Sequence, residues 1–450
     1  MRRVSIVLLS VVLLSFALTT TASAATEAQK LSAILNGLAH LDAVQCKTAG
    51  SNFGSWGTSQ CGAGYGDAYT GAAVFAFLTT QAKWPAGALA ATYASDVTNG
   101  VNYLLSVAST QSISTNDNLV NICPGGTGSC TAIYWNVCGD QTYCTGFVAS
   151  AIDTYALTKG VGNVATAAGP LAGLTWTQIA QGITNAYAAG QATTKDGNNN
   201  GGWRYTIPSN DGSDMSTAQW GAIASGYDES VGAVTPANVK PGLQKWLAYD
   251  ILSGAACYEG GATAGTCGIG PDNAENGAWL VSNSWAGGGT TTNAIAFLNT
   301  NWKTSINATW YGNFGNPYAM WSSYKGLEAA IGLSDTTHIG NLMTACGIPT
   351  NSPGSGICNW WEDYNEWLVN VTARSTDGSG NLYWPGAGEW FDPLSTSVFT
   401  AIIGAAALPN SITQGGTPAS VPAVSQWGLV ALGVLLVTFA AMKLRGRRTA

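Results

Sequence analysis

Charged side chains are scarce in this chain of 450 residues. Asp, Glu, Lys and Arg together make up 9% of the sequence, whereas soluble domains ordinarily carry about 25%. Hydrophobic residues reach 46%, which is the opposite of the balance that keeps a chain disordered. The formal net charge of −7 leaves no basic surface of the kind that nucleic-acid binding requires. The composition therefore excludes disorder and nucleic-acid binding.

Histidine is also scarce, since His40 and His338 are the only two. A catalytic triad or a zinc site would have to draw on one of them, and the sequence contains no Cys-x-x-Cys, Gly-x-Ser-x-Gly, Walker or dinucleotide motif. We therefore expect no metal and no cofactor. Glycine is abundant, with 57 residues, and so are aromatic side chains, with 18 tryptophans and 17 tyrosines. Together they indicate a compact fold that is rich in turns.

The N-terminus has the pattern of a signal peptide. Two arginines precede an apolar run that ends at Leu18, and Ala22-Ser23-Ala24 supplies a cleavage site of small residues. The sequence predicts a signal peptide over residues 1–24 and a mature chain that starts at Ala25. An N-terminal membrane anchor is the alternative, although the apolar run is short for a membrane span.

The C-terminus carries a second targeting pattern. Val421-Pro422 and Trp427-Gly428 precede an apolar run that ends at Met442, and a basic cluster follows. A transmembrane segment that stops at basic residues should leave its C-terminus in the cytoplasm. This layout resembles the IPTL-CTERM sorting signal of Gram-negative bacteria, whose hallmark is I-P-T-L-x-x-W-G. Pro422, Trp427 and Gly428 are the sorting residues that match it.

The resemblance implies that an envelope sorting enzyme, similar to a membrane transpeptidase, cuts near this motif and passes the protein to the cell envelope. The protein would be exported, transiently anchored in the inner membrane, and finally located at the outer surface or secreted. A plain single-pass anchor over residues 421–450 is the alternative. Residues 409–420 contain Gly, Thr and Pro and are expected to form a flexible linker.

All ten cysteines lie between these two signals, and they occur in neighbouring pairs. An exported location makes disulfide bonds the natural interpretation. The four cysteines between Cys123 and Cys144 could pair in more than one way. The spacing of the others predicts three disulfide bonds, which are Cys46–Cys61, Cys257–Cys267 and Cys346–Cys358.

The body of the chain is organised as a repeat. Each copy places a Gly-rich or aromatic loop before an acidic residue, and small and hydroxyl-bearing residues then open an apolar helix. The clearest copy runs from Gly201-Gly202-Trp203-Arg204-Tyr205 to Asp214 and Ser216-Thr217-Ala218-Gln219-Trp220. An acidic residue at this position is expected to cap the helix by accepting amide hydrogen bonds. The acids at the corresponding positions of other copies are Asp67, Asp140, Asp272 and Asp392.

This copy resembles a prenyltransferase/squalene-oxidase repeat, and Asp392-Pro393-Leu394-Ser395-Thr396 repeats its theme. The resemblance covers roughly residues 60 to 408. It implies an all-α fold in which residues 25–408 form an α/α toroid of about six helix hairpins, with inner and outer helices closing on themselves.

The catalytic residues of that family do not carry over. Squalene cyclases use an Asp-x-Asp-Asp acid, and the nearest string, Asp211-Gly212-Ser213-Asp214, lacks the adjacent acid pair. Protein prenyltransferases hold zinc with Asp, Cys and His, and neither histidine lies in a matching motif. Terpene cyclisation and protein prenylation are therefore disfavoured.

Toroids of this kind also carry glycoside hydrolases and polysaccharide lyases, so the fold alone does not decide the function. The inner helices would begin at one mouth, which would bring the acids of the repeats together. Paired carboxylates beside aromatic side chains are what glycoside hydrolysis requires. The expected ligand-binding rim of this mouth consists of Trp203, Tyr205, Trp384 and Trp390.

The stretch from Asn359 to Trp367 is the strongest acidic and aromatic cluster of the sequence. A buried Glu in it could have a raised pKa and act as an acid. The alternative is that the acids only cap helices and that the tryptophans belong to the core. The candidate catalytic residues are Glu362, Asp363, Glu366, Asp214 and Asp392.

Two functions of different classes follow from these features. The favoured one is a non-catalytic surface protein that binds a ligand or partner at its acidic, aromatic mouth. The alternative is a glycan-active hydrolase or lyase. Without the two terminal signals, the body has 11 basic and 24 acidic residues, a net charge of −13. This charge favours a glycan or another ligand that is neutral or cationic, and it weighs against a lyase that acts on uronates.

Overall fold

The computed structural model describes residues 24–62, 64–116, 120–126, 128–194, 197–305, 312–343, 359–388 and 390–413. The predicted signal peptide up to Ser23, the predicted sorting segment from Val421 and the predicted Cys346–Cys358 bond lie outside these residues. Within these ranges, no helix combines the length and the apolar character that crossing a membrane requires.

The chain is mainly helical, as the sequence predicts, and about half of it lies in helices. Gln81–Lys83 forms a short 3-10 helix, and Trp367–Val371 forms a π-helical turn. In the described residues the α-helices are α1 (Glu27–Val44), α2 (Gly66–Thr79), α3 (Ala88–Ser106), α4 (Gln141–Lys159), α5 (Trp176–Gly190), α6 (Met215–Ser230), α7 (Val239–Tyr249), α8 (Asn273–Ala286), α9 (Thr292–Asn301), α10 (Pro317–Ala330), α11 (Trp360–Glu366), α12 (Leu394–Ile403) and α13 (Asn410–Thr413).

Small antiparallel sheets occupy several loops between these helices, which the all-α prediction did not include. Their strands are two to six residues long, too short for a reliable alternating pattern in the sequence. They are β1 (Ser109–Ile113) with β2 (Cys130–Tyr134), β3 (Ile251–Leu252) with β4 (Ala255–Gly260) and β5 (Cys267–Pro271), β6 (Ser375–Thr376) with β7 (Leu382–Tyr383), and β8 (Gly386–Ala387) with β9 (Trp390–Phe391). Ser109 pairs with Tyr134, and Cys257 pairs with Pro271.

Helices α2, α4, α6, α8, α10 and α12 are buried on nearly all sides. Each contacts the next in this order, and α12 contacts both α10 and α2, so the series of contacts returns to its start. Helices α3, α5, α7 and α9 pack against members of this series, and α1 packs against α12. Helices that are apolar on every face require this kind of burial.

Small residues let α8 and α10 approach closely. A Cβ atom added at Gly277 would collide with backbone atoms of Ser322 and Ser323, and one added at Gly326 would collide with the backbone of Gly277. The glycines of this helix pair are therefore required by packing, which agrees with the glycine-rich composition.

A tryptophan in the preceding loop joins a buried helix to its neighbour in several copies of the repeat. The indole N–H of Trp203 donates to the carbonyl of Tyr187 in α5 at 2.7 Å, and Thr217 Oγ1 in α6 donates to the carbonyl of Trp203 at 2.7 Å. In three other copies the backbone N–H of the loop tryptophan donates to the hydroxyl of the helix threonine, which joins Trp56 to Thr70, Trp135 to Thr145 and Trp384 to Thr396. The repeat thus has a common hydrogen-bonding unit.

The acids that the sequence assigns to helix caps divide into two groups. Asp214 caps α6 by accepting from Thr217 N at 2.9 Å, and Asp272 caps α8 by accepting from Glu275 N at 2.9 Å. Asp67 lies inside the first turn of α2 instead, and Asp140 precedes α4 without a side-chain capping bond. The capping prediction is therefore confirmed for α6 and α8 and wrong for α2 and α4. It is also wrong for Asp392, because Pro393 occupies the cap position of α12.

Residues 406–413, the closing segment, pack against the buried helices α6, α8 and α10. Tyr324 Oη and Lys325 Nζ donate to the carbonyl of Ala406 at 3.1 and 2.7 Å, and Ser411 Oγ donates to the carbonyl of Gly226 at 2.6 Å. Ile412 is fully buried. The folded part consequently continues to residue 413, beyond the predicted start of the linker at residue 409.

Four disulfide bonds are formed in the described residues. Cys46–Cys61 and Cys257–Cys267 confirm two predicted pairs. The ambiguous group resolves into Cys123–Cys130 and Cys138–Cys144. Each bond closes a short loop, so each one fixes local loop geometry.

Candidate functional site

A cavity of about 450 Å³, here called the pocket, opens where the six buried helices begin. Residues in the first two turns of these helices, or in loops next to them, line it. The repeat therefore brings six helix N-termini to one place. Eight aromatic side chains belong to the lining: Tyr65, Tyr69, Tyr143, Phe147, Tyr205, Tyr258, Tyr318 and Trp390.

Aromatic rings close the inner end of the pocket. The ring centroid of Phe147 lies 4.3 Å from that of Trp220 and 5.4 Å from that of Trp390, and Tyr318 lies 5.3 Å from Trp390. Further along the same helices, Phe75 packs against Tyr227 and Trp321. With the closing segment at the far end, these layers make the pocket end blindly.

Hydrogen bonds fix three of the tyrosines that line the pocket. Gln219 Nε2 donates to Tyr318 Oη at 3.0 Å, and Ser322 Oγ donates to Gln219 Oε1 at 3.0 Å. On another wall, the hydroxyl groups of Tyr205 and Tyr258 lie 2.5 Å apart. The positions of these rings are therefore set before any ligand binds.

Glu275 is the most unusual polar group of the pocket. Its side chain lies in the first turn of α8, the residue is only 2% exposed, and Oε2 has no hydrogen-bond partner among the described residues. Burial raises the pKa of Glu275 well above its usual range, and the negative charges of Asp272, Asp214 and Asp250 raise it further. This environment favours the protonated form of the carboxyl group, which can donate a hydrogen bond.

Asp272 and Asp214 lie at the starts of two adjacent helices, and Asp272 also lines the pocket. Burial raises the pKa of Asp272 to about 6, although amide hydrogen bonds from Glu275 and Ala274 act against this. Burial also raises the pKa of Asp214 to about 6, against hydrogen bonds from Ser216 and Thr217. Arg204 Nε lies 3.6 Å from Asp214 Oδ2. Both carboxyl groups are thus tied to their own helix start.

Asp140 is the third acid of the pocket lining, and it is partly exposed. It belongs to the loop before α4, so it faces the pocket from a different helix than Glu275. Among the described residues that line the pocket, none is Lys, Arg or His. The pocket consequently offers carboxyl and phenol groups to a ligand, and no cation.

Only some of the residues that were predicted to form the mouth line the pocket. Asp140, Asp272, Tyr205 and Trp390 line the pocket, and Asp214 lies directly behind Ser216 of the lining. Asp67 is fully buried and accepts from the amides of Ala68 and Val137 at 2.8 Å, so its carboxyl group joins the first turn of α2 to the loop before α4.

Trp203 and Trp384 lie in the helix packing. Trp203 is fully buried, and its indole donates to Tyr187 as described above. Trp384 is 2% exposed, and its indole donates to the carbonyl of Leu368 at 3.1 Å. Neither side chain belongs to the lining of the pocket.

The acids of α11 lie outside the pocket lining and make contacts within the fold. Glu362 forms an ion pair with Lys30 of α1 at 3.0 Å. Asp363 accepts from the indole of Trp302 and from the amide of Met343, both at 2.7 Å. Glu366 accepts from Asn370 Nδ2 at 2.7 Å.

Asp392 also contacts α1 rather than the pocket. Its Oδ2 lies 2.8 Å from His40 Nε2, and Asp377 Oδ2 lies 3.0 Å from His40 Nδ1. Burial lowers the pKa of His40, but the hydrogen bonds and charges of Asp392 and Asp377 outweigh it, so the pKa is raised overall. The His40 ring stacks on Tyr383, with centroids 4.1 Å apart. This group links α1 to the loop before α12.

A cluster of potential metal ligands is formed by Asp67, Cys138 and Cys144. The two cysteines are joined in a disulfide bond, so they cannot act as thiolate ligands. This donor set therefore does not fit a metal ion.

Sequence reasoning did not single out Glu275 or most of the tyrosines. Glu275 stands three residues after the cap Asp272, a position where Glu is ordinarily part of a capping box. Its position therefore indicates a structural role until the buried surroundings are known. The tyrosines Tyr65, Tyr69, Tyr143 and Tyr318 share one signal, because each falls just before or just inside the first turn of a helix of the repeat.

Comparison with known families gives a match at the C-terminus of the chain. Residues 419–448 match the IPTL-CTERM motif, which confirms that part of the sequence prediction. The motif points to an exported protein that is sorted to the cell envelope, and it implies recognition by a C-terminal sorting enzyme. No curated protein and no solved structure matches the chain. The resemblance to prenyltransferase/squalene-oxidase repeats has no support from these comparisons and stays a prediction.

Proposed function

We propose that this exported protein is an α/α toroid that binds a neutral glycan in its pocket at the cell surface. The closed order of contacts from α2 through α12 and back to α2 supports the toroid. The signal peptide over residues 1–24, cleavage near residues 421–428 and transient anchoring by the following apolar run are parts of the same proposal. They agree with the motif at residues 419–448.

The observation that carries the proposal is the composition of the pocket. Tyrosine and tryptophan side chains form its walls and inner end, while carboxyl groups and phenol hydroxyls supply hydrogen-bonding groups. Aromatic faces pack against the apolar faces of sugar rings, and the polar groups bind sugar hydroxyls. An anionic ligand would meet carboxyl groups and no cation among the described lining residues. A neutral sugar therefore fits best.

The blind inner end selects among neutral glycans. A long glycan chain cannot pass through the space between the six buried helices, because aromatic rings and the closing segment fill it. The pocket is thus suited to the end of a glycan chain or to a short oligosaccharide. Pockets for small molecules commonly have volumes of about 300–1,000 Å³, and the volume here falls in this range.

The closing segment gives the pocket an orientation. It lies at the C-terminal ends of the buried helices, whereas the pocket lies at their N-terminal ends. The sorting motif follows the closing segment in the chain. We infer that the pocket faces away from the membrane while the tail is still attached, so that it is accessible to an external ligand.

The test is a glycan array probed with the purified full chain, followed by calorimetry with each ligand that binds. We expect binding to chain ends of neutral glycans and a loss of affinity of about 2- to 10-fold for Trp390→Ala, since stacking contributes roughly 0.5–1.5 kcal/mol. Tyr93→Phe is the control, because Tyr93 is fully buried and outside the pocket lining. Binding of acidic glycans alone would contradict the proposal.

A further inference from the structure

Beyond binding, we propose that the pocket hydrolyses a glycosidic bond of its neutral ligand, with Glu275 as the proton donor and Asp140 as the base. This inference rests on the proposed function, since it requires a glycan in the pocket. It adds a reaction and assigns each of the two residues a distinct role.

The first argument is the position of Glu275. The residue belongs to the pocket lining although it is only 2% exposed, and its buried Oε2 has no hydrogen-bond partner among the described residues. A buried polar atom without a partner is costly in free energy. A ligand oxygen placed beside it would remove that cost, and a glycosidic oxygen is such an acceptor.

The second argument is the difference between the two carboxyl groups. Glu275 is buried beside other acids at the start of α8, and these surroundings favour its protonated form. Asp140 is partly exposed in the loop before α4 and lines the same cavity. Two carboxyl groups that line one cavity, one buried and one partly exposed, can take the separate roles of acid and base that glycoside hydrolysis needs.

The reaction balances with water as the only co-reactant. The proton of Glu275 moves to the glycosidic oxygen while the bond between that oxygen and the anomeric carbon breaks. A water oxygen bonds to the anomeric carbon, and the proton that this water loses goes to Asp140. Exchange with solvent returns a proton to Glu275 and removes one from Asp140. The products are a shortened glycan and a sugar with a free reducing end.

The pocket also defines the substrate class. Its blind inner end accommodates the terminus of a glycan chain rather than its interior. The expected cleavage therefore releases monosaccharides or short oligosaccharides from the chain end. The absence of a cation among the described lining residues selects neutral sugars. The substrate is therefore a neutral oligosaccharide or polysaccharide that is attacked from one end.

The experiment measures binding and release of reducing sugar in parallel on neutral oligosaccharides that differ in sugar and linkage. Wild type is compared with Glu275→Gln, Asp140→Asn and the control Asp153→Asn, which changes a buried carboxyl group outside the pocket lining. We expect Glu275→Gln to bind as wild type does and to release sugar about 100-fold more slowly or worse, as for loss of a general acid. Asp153→Asn should keep the wild-type rate if its melting temperature shows that it is folded.

A second measurement separates acid catalysis from a structural effect. Nitrophenyl glycosides have a leaving group that departs without protonation. If Glu275 is the acid, Glu275→Gln should lose far less activity on these substrates than on natural oligosaccharides. An equal loss on both kinds of substrate would overturn the assignment of Glu275.

The outcomes also distinguish this inference from the proposed function. Binding without release by wild type would overturn hydrolysis and leave glycan binding in place. Absence of both binding and release would overturn the two proposals together. Release that persists in Glu275→Gln at the wild-type rate would overturn the catalytic role of Glu275 alone.

Discussion

The backbone N–H of Glu275 donates a hydrogen bond of 2.9 Å to Asp272 Oδ1 at the start of α8. The cap therefore holds two carboxyl groups within one helical turn in a buried site. Burial raises the pKa of both groups, and the charge of Asp272 adds to the effect on Glu275. The arrangement favours the protonated forms, which links the stability of the fold to pH.

We expect the protein to be more stable in mild acid than at neutral or alkaline pH. The buried acids Asp214 and Asp272 have pKa values of about 6, and burial, with Asp214 and Glu259, raises the pKa of Asp250 to about 8. In the unfolded chain such groups titrate near pH 3.9. Above that pH the unfolded state releases protons that the folded state keeps, so stability falls as pH rises to about 8.

Asp250→Asn should reduce the loss of stability that accompanies rising pH. Asp250 is fully buried, and neither oxygen of its side chain has a hydrogen-bond partner in the part of the chain that the structure describes. One unit of pKa shift corresponds to about 1.4 kcal/mol, so the variant should gain more than about 1 kcal/mol relative to wild type between pH 4 and pH 8. Urea unfolding at a series of pH values measures this.

Asp335→Asn is the matched control for the same experiment. Hydrogen bonds from His338 and Thr337 outweigh the opposing effect of burial and lower the pKa of Asp335. The stability that the Asp335 carboxylate contributes is lost as pH falls, whereas the stability linked to Asp250 is lost as pH rises. This variant should therefore leave the decrease in the free energy of unfolding toward pH 8 unchanged. A decline that is equal in wild type and Asp250→Asn would contradict the role given to Asp250.

Local patterns in the sequence were enough to predict some of these features. Asp214 and Asp272 cap helices because a short acidic side chain before an apolar helix can reach its first amides, which needs no tertiary contact. The disulfide bond Cys257–Cys267 follows in the same way from short spacing in an exported chain. Helix positions and two of the disulfide bonds were therefore accessible from neighbouring residues alone.

Other features depend on contacts between distant parts of the chain. Trp203 and Tyr205 are two residues apart, yet Trp203 is fully buried while Tyr205 lines the pocket. Glu362 has the local sequence of an active-site acid, but Lys30, from the other end of the chain, forms an ion pair with it. The residue types alone are compatible with the core of the fold and with a site that binds ligand. Only the packing of α6 against Trp203 and of α1 against Glu362 distinguishes the two environments.

The disulfide bond Cys257–Cys267 should be needed for ligand binding as well as for stability. It joins β4 to β5, and β4 carries Tyr258, whose hydroxyl contacts Tyr205 in the pocket wall. Replacing both cysteines with alanine should cost about 2–4 kcal/mol, toward the lower end for so short a loop. It should also weaken glycan binding measured by calorimetry.

The matched variant for this prediction removes Cys123–Cys130. That bond lies outside the pocket lining, so its loss should lower stability without a comparable loss of affinity. Non-reducing peptide mapping of wild type provides the baseline and should recover both bonds. Equal effects on binding in the two variants would argue against a specific role of the β4–β5 loop.

Gly277→Ala should destabilise the contact between α8 and α10. The added methyl group would collide with backbone atoms of Ser322 and Ser323, which cannot move without shifting α10. Overpacking of this kind costs about 1–3 kcal/mol. Gly162→Ala is the control, because no heavy atom lies within 4 Å of a Cβ at that position. Urea unfolding should show a clear loss for the first variant and little change for the second.

Substitutions in the sorting motif should change where the protein accumulates. Pro422 and Trp427 belong to the matched segment of residues 419–448. If a sorting enzyme recognises this segment, Pro422→Ala with Trp427→Ala should leave an uncut form in the inner membrane. Cell fractionation and intact mass measure the location and the cleavage. Ser420→Ala provides a control within the same segment, and an identical distribution of wild type and the double variant would refute recognition through these residues.

Lys325 and Glu328 form a buried ion pair that joins α10 to the closing segment. Lys325 Nζ lies 3.3 Å from Glu328 Oε2 and donates to the carbonyl of Ala406, while Glu328 Oε1 accepts from the amide of Leu408 at 2.7 Å. Burial lowers the pKa of Lys325 and raises that of Glu328. Each charge is therefore tolerated because the other is present.

Removing Lys325 alone should consequently be more harmful than removing both charges. Lys325→Met leaves Glu328 buried without its cation and should lower the free energy of unfolding by about 3–5 kcal/mol. The double variant with Glu328→Gln should recover part of this loss, because the amide oxygen can still accept from Leu408. Urea unfolding of wild type, both single variants and the double variant gives the coupling energy of the pair. If the double variant loses the sum of the two single losses, charge compensation does not hold the closing segment in place, and the hydrogen bonds of Tyr324 and Ser411 and the packing of Ile412 against Gly226 must do so.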